Sequence, residues 1–254
     1  MGTRPVIENE YYTFETGQGT DTGNVRDHNE DSFLSRPDFG LWIVADGMGG
    51  HAAGDFASQT ITQEAGSVGL SSSLPDLQAR FMERLTRAHN SILAKAAELG
   101  GHTVGATVVG LLVHEDQYAC IWSGDSRIYL MRRGMLTQLT VDHTEVQHLL
   151  SCGAISEAEA ETWPRKNVIT RAIGVSDAPQ CDVITGQIAE GDVFLLCSDG
   201  LTEHLGADDI IANIAGNEAT QIMCNSLINE TLHRGAKDNV TCIVMRCHAR
   251  DGGL

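Results

Sequence analysis

Positive charge is what this sequence most lacks. Against 34 Asp and Glu it carries 17 Lys and Arg, a formal net charge of −17 over 254 residues. A chain so balanced has no global basic footprint for nucleic acid or an anionic membrane. Cysteine occurs seven times, an odd count, with no C-x-x-C pair. That disfavours a zinc or disulfide framework and suits small buried hydrophobes in a reducing compartment. Cys242 and Cys247 lie five apart in an apolar run, which in a strand sends them to opposite faces. The longest apolar run, 105–113 (GATVVGLLV), is far too short to span a bilayer. The N-terminal MGTRPVIENEYY has no signal-peptide apolar stretch, and Val6 stands where myristoylation needs Ser or Thr. These absences point to a cytoplasmic protein. With five prolines, no repeat and no low-complexity linker, residues 1–254 read as a single domain.

Several common chemistries are missing as well. There is no G-x-x-x-x-G-K-[ST], no H-E-x-x-H and no G-x-S-x-G. The stretch 21–27 lacks the acidic third position and the sixth-position glycine of an EF-hand loop. His143 and His148 are five apart, off one helical face, which disfavours a zinc pair. Residues 47–52 (GMGGHA) fit the dinucleotide fingerprint on paper. Asp46, however, sits where a pyrophosphate would lie, and the acidic residue about twenty on, Glu64, falls inside a helix.

What is present is a set of short apolar runs bounded by Gly or Asp, at 41–45, 107–113, 118–122, 127–131, 193–197 and 240–245. They read as buried strands. Ser-Gly-Asp-Ser between the third and fourth is a hairpin signal. Leu77, Phe81, Leu85, Ala88, Ile92, Ala96 and Leu99 form one helical stripe, with Pro75 in its first turn. Residues 52–65 and 219–232 read as further helices, the latter ending before Gly235. Ser156 and Glu159 form a capping box. Residues 134–171 show short helical pieces, polar turns and no clear strand, so they read as a surface excursion. Because strands and helices do not alternate strictly, the class is α+β, with helices layered on antiparallel sheets.

Three of the strands run into an aspartate: Asp46, Asp125 and Asp199. A fourth, Asp238, precedes the strand at 240. Carboxylates gathered at strand ends repel one another and take up protons unless a hard divalent cation neutralises them. Spacing alone leaves such a site and simple turn aspartates both open. The nearest lysine, Lys237, offers little internal pairing.

Taken in order, these segments resemble the metal-dependent Ser/Thr protein phosphatases of type 2C (PPM), in their bacterial form. The resemblance rests on 23–33 (GNVRDHNEDSF), 45–51 (ADGMGGH), 105–107 (GAT), 124–127 (GDSR), 139–144 (LTVDHT), 167–174 (NVITRAIG), 198–201 (SDGL) and 238–241 (DNVT). It covers about 16–247. It implies a four-layer αββα sandwich with two central antiparallel sheets, flanked by helices, with a mobile flap at about 142–171. It further implies a single catalytic phosphatase domain with two Mn²⁺ or Mg²⁺ ions in a cleft. Position by position, Asp46 would bridge the ions, the Gly47 carbonyl would bind one, and Asp199 and Asp238 would hold the other. Glu30 and Asp31 would bind through water or orient those ligands, and Asp125 with Asp199 would form a weaker third site. A hydroxide bridging the ions would attack the phosphorus, Arg26 would grip the phosphate, and His51 would protonate the leaving oxygen. The histidine that follows Asp-Gly in animal members is Met48 here. The residues alone also allow a helix or turn cap for Glu30 and Asp31, an ion pair with Asp27 or Glu30 for Arg26, and a helix cap for His51. On the flap, Trp163 stands as a substrate anchor or packs onto the body. The implied partners are phosphorylated proteins and a Ser/Thr kinase whose work the enzyme, a monomer, opposes. The alternative function is a catalytically weak phosphoprotein-binding module, a pseudo-phosphatase.

Overall fold

The computed structural model describes residues 7–8, 11–50, 52–216 and 218–250. One sheet has the order β1 (Ile7–Glu8), β2 (Tyr12–Asp21), β12 (Val240–Ala249), β11 (Val193–Cys197), β8 (Arg127–Arg132) and β9 (Met135–Gln138). The other runs β10 (Asp182–Gln187), β7 (Gln117–Ser123), β6 (Val108–His114), β4 (Leu41–Met48) and β3 (Asp31–Arg36), with β5 (Gly105–Ala106) pairing the end of β4. Every strand pairing within the sheets is antiparallel. Helices α1 (Ala52–Gly66) and α2 (Leu74–Glu98) cover the second sheet. Helices α5 (Asp199–Thr202), α6 (Ala207–Ile214) and α7 (Thr220–His233) cover the first. The short α3 (Glu145–Ser151) and α4 (Glu157–Glu161) lie in the excursion.

Three apolar clusters fill the gaps between these layers, as the expected αββα sandwich requires. Trp42, Val44, Leu111, Phe194, Leu196 and Ile243 pack between the sheets. Ile43, Ile61, Leu77, Phe81, Leu85 and Ile92 pack under α1 and α2. Leu195, Leu201, Leu227 and Val244 pack under α5 to α7. The buried strands therefore alternate between two apolar environments, which is why they read as continuous runs. Cys242 faces the outer cluster and Cys247 the inter-sheet one, as their odd spacing demands.

The stripe at 77–99 is α2, with the Ser73 side chain accepting from the Asp76 amide and Pro75 in the first turn. Its seam from Leu77 to Ile92 is buried. The capping box at Ser156 and Glu159 opens α4. Two expectations fail. The runs at 118–122 and 127–131 do not form a hairpin: β7 pairs β6 and β10, whereas β8 pairs β11 and β9 in the opposite sheet. Gly124, at φ +112°, turns the chain from one sheet into the other. Both runs are buried on both faces, so their pattern holds no clue to which sheet each joins. The excursion at 134–171 also begins with a strand, β9, whose mostly exposed edge residues carry no buried-strand pattern.

Candidate active site

The strands of both sheets deliver acidic residues to a cleft of about 510 Å³, lined by Arg26, Glu30, Asp46, Gly47, Asp125 and Asp199, with Asp238 beside them. Asp46 lies within β4, opposite Asp31 on β3. Asp125 sits in the crossing between sheets, Asp199 opens α5 directly after β11, and Asp238 precedes β12. All four strand-end aspartates, far apart along the chain, are thus brought together.

Close backbone approach assembles them. A Cβ on Gly200 would lie 2.0 Å from the Asn239 carbonyl oxygen, and one on Gly47 2.2 Å from that of Gly54. Such contacts admit glycine alone, and this explains the Asp-Gly pairs better than a simple turn does. Asn239 then pins the loop before β3: its side-chain amide donates to the Thr22 and His28 carbonyls, and its Oδ1 accepts from the Glu30 amide at 2.8 Å. The Gly47 amide donates to the Glu30 carbonyl. Gly54 on α1 leaves space for the Glu30 carboxylate, since a Cβ there would come within 2.6 Å of it. Ser198 donates to Asp31 Oδ2 at 2.8 Å and accepts from the Thr241 amide. Asp31 therefore opens β3 at the cleft, and the Glu30 carboxylate, one residue earlier, lies against the first turn of α1.

The cleft is electrostatically strained. Burial, then the charges of Asp31, Asp199, Asp125 and Asp238, hold the Asp46 carboxyl well above the usual carboxylate range. Burial, then Asp125 and Glu203, do the same to Asp199. Burial moves Asp31 up to about 6, and burial with Asp142 nearby moves Asp125 to about 6. Asp31 Oδ1 is a buried oxygen with no hydrogen-bond partner among the described residues. Among those residues no three His, Cys, Asp or Glu side chains already form a closed ligand set. Oxygen donors in mutual repulsion, one of them orphaned, nevertheless fit hard divalent cations.

Arg26 stands at the rim, and its Nη2 donates to Asp238 Oδ2 at 2.7 Å. This ion pair is with a residue that the sequence did not suggest as a partner; it forms because the pinned 22–30 loop folds over the start of β12. His51 lies outside the described residues. Trp163 is half-buried on the excursion. Sequence reading missed Asn239, Ser198 and Gly54 as supports of the site; the first two lie inside the quoted DNVT and SDGL strings, beside the aspartates that drew attention. It also considered His143 for zinc alone, although that residue is buried and bonded to the Asp125 turn.

An αββα sandwich with a carboxylate cleft at one end of its facing sheets is the class this geometry defines. The family profile "Protein phosphatase 2C" matches residues 18–234, and the chain belongs to that family. It is 31% identical to the serine/threonine phosphatase stp of Listeria monocytogenes over 89% of this chain and 93% of that one. Its fold superposes on PppA, described as a regulatory component of the type VI secretion system in Pseudomonas aeruginosa. There the TM-score is 0.84 with 36% identity, covering 92% of this chain and 97% of that one. A similar match is the catalytic domain of the phosphatase PstP in complex with two manganese ions, with TM-score 0.83, 30% identity, and coverage of 94% and 99%.

Proposed function

We propose that this chain is a metal-dependent protein phosphatase acting on phosphoserine and phosphothreonine, with residues 1–254 working as one catalytic domain. The observation that carries the reading is the convergence of Asp46, Asp125, Asp199 and Asp238 on one cleft with Arg26 at its rim. Asp46, the Gly47 carbonyl, Asp199 and Asp238 would hold two Mn²⁺ or Mg²⁺ ions, and Asp125 with Asp199 a third. When bound, such ions supply Lewis acidity and activate water at neutral pH. Glu30 and Asp31 orient that set, Asp31 through its bond from Ser198. Arg26 presents a forked donor set at the mouth, with more than half of its side chain exposed, and would grip the non-bridging oxygens of a phosphoryl group. No covalent nucleophile is required, and none of the buried cysteines reaches the cleft. Seven free thiols suit the reducing cytoplasm, where a Ser/Thr kinase would supply the substrates. No helix among the described residues is long and apolar enough to cross a membrane.

The test is phosphate release from a phosphothreonine peptide with Mn²⁺, with excess chelator, and with Asp199→Asn. The expected outcome is Mn²⁺-dependent release that chelator abolishes and that the variant, short of one proposed ligand, loses. Folded protein that binds phosphopeptide but releases no phosphate with any divalent ion would refute it in favour of a binding module.

A further inference from the structure

We propose that His143 is a positioning residue that holds Asp125 and the base of the 142–171 flap in one register, so that the two cannot move independently. This rests on the reading that Asp125 binds a cation. The imidazole is buried and stacks on Trp122, with ring centroids 6.0 Å apart and planes inclined by 14°. Its Nδ1 accepts from the Gly124 amide at 3.1 Å. An Nδ1 that accepts places the ring proton on Nε2, which donates to Asp182 Oδ2 at 3.2 Å, while the Arg171 Nη1, also a donor, sits 3.2 Å from the same nitrogen and is satisfied by Asp182. Arg171 donates to the other oxygen of Asp182 at 2.7 Å and so fixes that carboxylate in turn. Burial lowers the His143 pKa and keeps the ring neutral, as an acceptor must be.

The backbone of His143 makes the second half of the link. Its amide donates to the Gly124 carbonyl at 2.9 Å, so both polar groups of Gly124 end on one residue. Its carbonyl accepts from the Thr170 amide at 2.7 Å. Together with the Glu145 amide on the Val168 carbonyl and the Thr144–Ile169 bridge, that bond closes the neck from which α3 and α4 project. Asn167 and Ile169 of the same neck line the cleft. Gly124 has little freedom of its own: it sits at φ +112°, and a Cβ there would come within 2.5 Å of the Thr107 side chain. The direction of the Asp125 carboxylate is therefore set by the peptide that His143 grips from both sides.

Packing alone would be served by any flat ring, so Phe and Asn separate the two roles. His143→Phe keeps the stack and loses the acceptor; His143→Asn keeps an acceptor near Nδ1 and loses the stack. Asp182→Ala, at a half-exposed position, loosens the ring orientation with little risk to folding. Full-length protein is titrated with Mn²⁺ alone, free ion being read by electron paramagnetic resonance, and amide exchange is followed on metal-free protein. The expected result is that His143→Phe weakens the weaker class of Mn²⁺ sites about tenfold and leaves the tight class unchanged. Exchange should rise together at 123–125 and at 168–171. His143→Asn should restore most of both, and Asp182→Ala should give a smaller change of the same sign. An unchanged weak class in the Phe variant, faster exchange in one segment alone, or no rescue by Asn would overturn the proposal. So would wild type with tight sites and no weaker class, a result that leaves the phosphatase reading intact. Wild type that binds no Mn²⁺ at all would remove that reading, and this inference with it.

Discussion

Replacing Asp31 by Asn should make the metal-free protein more stable at pH 7.5 and bring a much smaller gain at pH 5. In the folded chain this carboxyl titrates at about 6, against 3.8 for the same group in an unfolded chain. Between those values the folded state holds a proton that the unfolded state has released. Stability is therefore lost as pH rises through that window and is fully lost above it. At about 1.4 kcal/mol per pH unit the cost is about 3 kcal/mol at neutral pH. Water entering the cleft reduces it, and an Asn amide set at the orphaned Oδ1 position gives back about 1 kcal/mol as an unpaired donor. The net gain is about 1–2 kcal/mol, or a melting point higher by about 2–8 °C for a chain of this size. Ser198 can still donate to the Asn oxygen, so the frame survives. Urea and thermal unfolding with chelator at both pH values read the effect. Equal destabilisation at both, or a gain independent of pH, would refute the account of the cleft as a store of charge repulsion. Phosphatase turnover should fall in the same variant, since the stability recovered is the cost of holding a site ready for cations.

Two further substitutions separate site from scaffold. Gly54→Ala puts a Cβ within 2.6 Å of the Glu30 carboxylate. It should lower kcat/KM about tenfold by turning Glu30 aside while changing the melting point by less than about 2 °C, because the moving group is a flexible side-chain end and alanine favours the helix. Phe81→Ala empties the seam between α2 and the second sheet, where Phe81 is fully buried, and should cost about 3–5 kcal/mol. Chemical unfolding measures that loss, and the folded fraction should retain its specific activity at low temperature.

Much of this architecture is legible in the residues. Runs such as 193–197 coincide with a strand because they are buried on both faces and stop at a Gly or Asp. The α2 stripe is legible for the opposite reason: one face is apolar and the other charged. What the chain does not disclose is pairing. β2 is a long, half-buried strand rich in Thr and Gly that pairs with β12, and its Gly17 and Gly19 let α7 press on the sheet. The 118–131 crossover is hidden likewise, since Ser-Gly-Asp-Ser suits a hairpin or an inter-sheet step equally well, and the partner strands decide. In the cleft the aspartates show themselves through their position at strand ends. Asn239, Ser198 and His143 do not, because a supporting side chain is defined by what it reaches across space.

The cleft sits where the frame can bear its cost. Four carboxylates pushed together oppose folding, and among the described residues no lysine lines the cleft to neutralise them. The chain answers with bonds to rigid strands. Asp31 and Asp46 are paired residues of adjacent strands, Asp199 follows a fully buried strand, and Asn239 ties the Arg26 loop to the start of β12. Arg26 meanwhile rests on Asp238, so the guanidinium at the rim already neutralises a carboxylate that the proposed metal ion would share. If Asp238 holds a divalent ion, that carboxylate would grip Arg26 less firmly and leave the guanidinium more available to an incoming phosphate. Metal binding and phosphate binding should then favour one another, and by linkage each should tighten the other by the same factor. Inorganic phosphate should raise Mn²⁺ affinity in the wild-type protein, and most of that increase should vanish in Arg26→Ala. An Mn²⁺ affinity indifferent to phosphate in the wild type would show that Arg26 serves Asp238 alone.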